Sequence, residues 1–278
     1  MMKKWITRYP TLILLSLSLS LYGAKDSECC REPIPLKHNY LQSNLGIDFN
    51  YARYKLGALS DMSGYLAGLH VDFYYKKPRS ALVGLYFDGR WNAGHICSDI
   101  NCCNFFDLRS CIDDYMTSFH LGYNATTCDD TFMLTPFSGV GFYFLSNKLN
   151  PNIIEYKYFN VYVPLGMEFQ WDIKDHFNVG LNATYRLDAH TRVKMILPCI
   201  KICEKIKLKR SHGFKLEIPL IWNHTYCKRV NFQTKVVPFF DWNKFGASKK
   251  TNRYCIPIQI PCMKRWHLGL SVLIGISF

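Results

Sequence analysis

WHLGLSVLIGISF, residues 266–278, closes the chain with a regular alternation. Trp266, Leu268, Leu270, Val272, Ile274, Ile276 and Phe278 are apolar, while His267, Gly269, Ser271, Gly275 and Ser277 between them are small or polar. A period of two marks a strand, because successive side chains of a strand point to opposite faces. One face of this strand is greasy along its length. Two architectures cover such a face: a β-sandwich, where it meets a second sheet, and a bilayer-spanning barrel, where it meets lipid.

Nine earlier stretches repeat the pattern. Candidate strands fall at about 41–54, 64–75, 80–91, 115–125, 132–144, 158–171, 177–188, 214–223, 231–242 and 266–278. Each is long enough for a tilted membrane strand of roughly 9–11 residues. In the first, Leu45, Ile47, Phe49 and Tyr51 alternate with Asn44, Gly46, Asp48 and Asn50. Three signs favour the membrane barrel over the sandwich. Strand glycines such as Gly46, Gly68, Gly141, Gly180 and Gly275 share the parity of the polar residues, which suits a crowded, curved interior. Trp91, Trp171, Trp222, Trp242 and Trp266 fall on the apolar face near strand ends, as in an aromatic girdle. Connections alternate long (55–63, 92–114, 145–157, 189–213, 243–265) and short (76–79, 126–131, 172–176, 224–230). Outer-membrane barrels have long outer loops and short inner turns in this way.

The apolar strand ending on Phe278 resembles the closing strand of bacterial outer-membrane β-barrels, in which a terminal aromatic is the assembly signal. TPFSGVGFYF (135–144) and YVPLGMEFQWDIKDHFNVGLNATYRL (162–187) are similar to paired strands of small porin-like barrels, and the resemblance covers about residues 40–278. It implies an all-β fold, an antiparallel transmembrane β-barrel of about ten strands, with eight the commoner family number. It also implies residence in the bacterial outer membrane, contact with outer-membrane lipid and the barrel-assembly machinery, and a structural or narrow-pore envelope role.

The N-terminus fits that destination. Lys3, Lys4 and Arg8 precede an apolar run, TLILLSLSLSL, and the small residues Gly23 and Ala24. This reads as a signal peptide over residues 1–24, followed by a periplasmic segment at 25–39 and the barrel at 40–278.

Twelve cysteines in an exported chain point to disulfides. The reading places all of them between strands: Cys97, Cys102, Cys103, Cys111, Cys199, Cys203, Cys255 and Cys262 on outer loops, and Cys29, Cys30, Cys128 and Cys227 on the periplasmic side. Both sets are even, so either internal stapling or cross-linking to other envelope proteins is open. High cysteine content in a barrel resembles the disulfide-linked envelope proteins of chlamydia-like bacteria.

The net charge of +13 is concentrated in two expected outer loops. Lys205, Lys207, Lys209 and Arg210 lie in one, Lys249, Lys250 and Arg253 in the other, so a shared cationic surface is expected to bind polyanions such as lipopolysaccharide phosphates or host glycans. Nucleic acid is not an expected partner of an exported chain. The lumen face offers Asp48, Asp72, Asp88, Glu168, Asp188, Glu217 and Asp241 with Arg90, Arg186, Lys215 and Lys235, mixed signs that imply a largely filled interior. Ten-stranded barrels include the omptin proteases, but their paired catalytic motifs are not recognisable here. No catalytic, metal or cofactor site is expected.

Overall fold

The computed structural model describes residues 41–57, 60–75, 84–98, 109–123, 125–126, 132–149, 154–174, 176–198, 202–227, 230–249, 251–253 and 256–277. The expected signal peptide, the 25–39 segment and Phe278 lie outside these residues.

Ten antiparallel walls close on themselves. They are β1 (Leu41–Leu56), β2 (Ser60–Tyr75), β3 (Gly84–Ser98), β4 (Arg109–Gly122), β6 (Phe132–Leu149), β7 (Ile154–Lys174) and β8 (Phe177–Leu197), a broken eighth wall, then β12 (Val230–Phe245) and β15 (Met263–Ser277). The eighth wall comprises β9 (Ile202–Lys207), β10 (His212–Glu217) and β11 (Leu220–Cys227), all paired to β8. A two-residue β5 (Ala125–Thr126) pairs with β6, and β13 (Thr251–Arg253) and β14 (Ile256–Ile258) form a separate hairpin. Closure is made by the 266–278 stretch: β15 pairs β12 on one side and β1 on the other, with Gln42 opposite Ser277. Both ends of the barrel chain therefore meet at one rim, and the turn at Gly57, with φ of 56°, lies at the other.

The apolar face is outside. Leu45, Phe49, Leu69, Phe119, Leu165, Trp171, Leu181, Leu268 and Ile274 are exposed, whereas Asn44, Asp48, Asp72, Asp88 and Lys235 are buried within the barrel. A closed barrel that shows hydrocarbon outward and charge inward is built to span a bilayer. Outward Trp171 and Trp222 lie toward the terminal rim, while Trp91, Trp242 and Trp266 lie toward the Gly57 rim, so the two expected aromatic levels are present. Close packing inside explains a glycine: a Cβ at Gly141 would run into the Tyr162 ring.

Above the outer girdle the pattern inverts. On β1 the outward residues after Tyr51 are Arg53 and Lys55, and the inward ones after Asn50 are Ala52, Tyr54 and Leu56, all buried. The same exchange occurs on β2, where Leu66 and Met62 turn inward, and on β3 and β4, where Ile96 and Ile112 do so. These residues join Tyr143, Leu145, Tyr158, Val193, Leu208, Phe245, Ile260 and Met263 in one apolar core. The barrel is lipid-facing below this level and water-facing above it.

This inversion corrects the expected outer loops. Strands continue through much of 92–114, 145–157 and 189–213, and the first outer connection is only 57–59. It also corrects the cysteine placement: Cys97 lies on β3, Cys111 on β4, Cys203 on β9 and Cys227 on β11.

Candidate functional site

The expected basic loop is mostly strand. Lys205 and Lys207 alternate outward along β9, with Lys194 and Arg192 of β8 directly opposite them. Glu204, Ile206 and Leu208 take the inward parity. Here β8 has an irregularity: Tyr162 pairs with Asp188 and Val161 with His190, so Ala189 is an inserted residue. The partner wall breaks at the same level, between β9 and β10. Leu208 pins that break, because its side chain enters the apolar core and its N–H donates to the Thr191 carbonyl at 3.1 Å. Ser248 bridges Leu208 from the far side, and the Lys209 N–H donates to the Ala247 carbonyl at 3.0 Å.

The result is a cleft of about 990 Å³ lined by residues 188–191, 204–210 and Lys249. Lys205, Lys207, Lys209, Arg210 and Lys249 are exposed. Among the described residues none of these five cations forms an ion pair. The acids of the cleft are occupied or withdrawn: Asp188 accepts from Asn160 Nδ2 and Thr191 Oγ1, each at 2.6 Å, and Glu204 is buried. A concave surface with unpaired cations and engaged carboxylates suits phosphate or sulfate groups. Lys250 lies outside the described residues, as does the side chain of Arg253 on β13. Sequence reading found the cations; it missed Leu208, Ser248 and the Asp188 to His190 insertion that shape the cleft.

The lumen is bridged from wall to wall. Arg90 of β3 pairs with Glu217 of β10, five walls away around the ring. Lys235 of β12 donates to Asp72 of β2 at 2.7 Å, and Lys215 lies 3.0 Å from Glu217 and 3.4 Å from Asp88. Nearer the outer rim, Arg265 of β15 reaches Asp114 of β4 at 2.7 Å and Asp241 of β12 at 2.9 Å, and Arg186 also pairs with Asp241. Tyr143 and Tyr54 donate to the same Asp114 oxygen at 2.9 and 3.2 Å. Asp48, Asp88, Asp241, Arg90, Arg186, Lys215, Lys235 and Glu217 thus meet as the mixed signs predict. Asp114 and Arg265 fall at the ends of the expected loops 92–114 and 243–265, where the apolar residues change sides.

Among the described residues Cys111, Cys203 and Cys262 form no disulfide with one another. Cys111 Sγ instead lies 3.2 Å from His95 Nδ1, its cross-strand neighbour. Cys29, Cys30, Cys102, Cys103, Cys128, Cys199 and Cys255 lie outside the described residues, and so do the side chains of Cys97 and Cys227. Among the described residues no group of three His, Cys, Asp or Glu side chains is placed to hold a metal ion.

No protein-family model matches the sequence, and no curated protein does. Solved structures are similar in fold. The translocator domain of the autotransporter NalP from Neisseria meningitidis is 7% identical, with 97% of this chain and 96% of that chain covered and a TM-score of 0.47. The outer membrane protease OmpT from Escherichia coli is 7% identical, with 90% and 99% covered and a TM-score of 0.45. The outer membrane protein OprG from Pseudomonas aeruginosa is 9% identical, with 87% and 97% covered and a TM-score of 0.38. The closed antiparallel barrel of this chain rests on its own strand pairing.

Proposed function

We propose that this protein is a closed structural barrel of the bacterial outer membrane that conducts no solute and displays a cationic cleft at its outer rim. The trans-lumen network carries the first half of this reading. Arg90 to Glu217 and Arg265 to Asp114 cross the barrel, and the apolar layer containing Tyr54, Tyr143, Phe245 and Met263 sits above them. A path for ions would have to separate paired, buried charges, at a cost of several kcal/mol for each broken pair. A cavity in this region measures about 20 Å³, room for about one water. Planar bilayers containing the folded protein should show no discrete conductance steps; regular steps would overturn the closed reading.

The cleft supports a second role, capture of polyanions, carried by five exposed cations that lack acidic partners among the described residues. Folded protein should be retained on heparin at low ionic strength and released as salt rises, since exposed charges are screened over roughly 8–10 Å at 0.1–0.15 M. Replacing Lys205, Lys207, Lys209 and Arg210 by Gln should abolish retention. Elution of the native protein with a neutral barrel would remove this role.

A further inference from the structure

A second set of cations lies on another wall. Lys55 of β1 stands opposite Lys264 of β15, Lys264 opposite Lys244 of β12, and Lys244 opposite His212 of β10. All four occupy outward positions, with Lys55 and Lys264 exposed and Lys244 and His212 partly so. One pleat below them, in the same register, run Arg53, Trp266, Trp242 and Phe214. Two residues advance about 6.6 Å along the strand, so the cations sit one pleat beyond the upper aromatic level.

Like charges directly opposed on neighbouring strands repel, and a carboxylate in the row would relieve them. Asp61 stands at its end, opposite Lys55, but Arg53 takes both its oxygens at 2.8 and 2.6 Å. The Arg53 hydrogen bond also holds the Asp61 carboxyl below its ordinary range. None of Lys55, Lys244 and Lys264 forms an ion pair among the described residues. On β3 and β4 the outward residues toward this rim are instead Asp113, His95 and Cys111.

We propose that this row binds the phosphate groups of lipid headgroups in the leaflet around the Gly57 rim. The occupant follows from direction and height. The side chains project sideways from the wall toward the membrane surface, just beyond the hydrocarbon, where lipid phosphates lie. Three cations aligned across neighbouring strands match more than one phosphate on a single headgroup. This inference rests on the membrane-spanning reading of the barrel and not on the closure of its lumen.

Native mass spectrometry of protein folded in neutral detergent tests it, with heat-modifiable gel mobility confirming the barrel in each sample. The probes are bis-phosphorylated lipid A, its dephosphorylated form and inorganic phosphate. Wild-type protein should retain lipid A and hold the dephosphorylated form roughly tenfold less, since three exposed ion pairs multiply to about that factor. Inorganic phosphate should not displace the lipid at equal concentration. The K55Q/K244Q/K264Q variant should lose the preference, whereas K205Q/K207Q/K209Q/R210Q keeps it. Equal retention of both lipids by wild type overturns the proposal, even if the row variant fails to fold. So do displacement by inorganic phosphate and loss confined to the cleft variant. Bilayer conductance plays no part in these outcomes, so they stand apart from the closed-lumen reading.

Discussion

Arg265 Nη1 lies 2.7 Å from Asp114 Oδ2, joining the closing strand to a strand four walls away across the barrel. Both side chains are almost fully buried, at 1% and 3% exposure. Arg265→Met would leave Asp114 and Asp241 buried with one counter-charge fewer. Removal of one partner from a buried pair costs about 3–5 kcal/mol. Urea unfolding in lipid vesicles should show a loss of this size, and a loss under 1 kcal/mol would show the network to be dispensable.

Leu181 is 40% exposed on the outer face of β8, within the lipid-facing part of the strand, opposite Phe169. Leu181→Arg places a charge in hydrocarbon and should cost about 2–4 kcal/mol in the same assay. A change within error would disprove the face assignment.

Ile112 is 1% exposed and points inward, above the lipid-facing part of the wall. If the upper barrel has a true apolar core, Ile112→Ala should cost about 2–5 kcal/mol by leaving a cavity. A negligible effect would mean that this layer is loosely packed.

Much of the barrel was legible because lipid and the polar lumen impose one alternation over each span. Ten strands, their order and the facing of Leu181 follow from that parity. The outer halves of β6, β7 and β8 were not legible, because beyond the bilayer the apolar residues change sides. Tyr54 and Leu56 look like an interruption of the pattern set by Leu45 to Tyr51 when read as one phase. The cationic cleft was half legible. Lys205 and Lys207 stand out by charge, but the cleft's shape depends on the insertion of Ala189 opposite the break at 208–211, which alternation does not reveal. The broken eighth wall has its own local signal in Pro219, whose missing N–H interrupts a ladder between Glu217 and Leu220.

Cys203 is an exposed thiol on β9, at the rim opposite the chain ends. A membrane-impermeant maleimide should label it in intact cells, read by peptide mass spectrometry. Labelling that requires permeabilised cells would reverse the orientation, and absence of labelling in denatured, unreduced protein would show that Cys203 is oxidised.

Asp61 sits above the apolar band, and Arg53 lowers its carboxyl pKa. The associated stability is present at neutral pH and fades as pH falls through the depressed value. In Arg53→Gln, Asp61 should titrate nearer the ordinary value of about 3.9. Carbonyl-detected NMR follows this directly, and an unchanged titration would assign the shift to another neighbour.

The change of phase along each wall also bears on export. A strand that is greasy outward at one end and inward at the other never assembles a long uninterrupted apolar run, and the mean hydropathy of the chain is −0.08. A translocation channel that tests the unfolded chain for a continuous hydrocarbon-soluble segment of about 20 residues finds none in the strands. The same residues that commit the folded protein to a bilayer therefore let the linear chain pass through an earlier membrane without being stopped there.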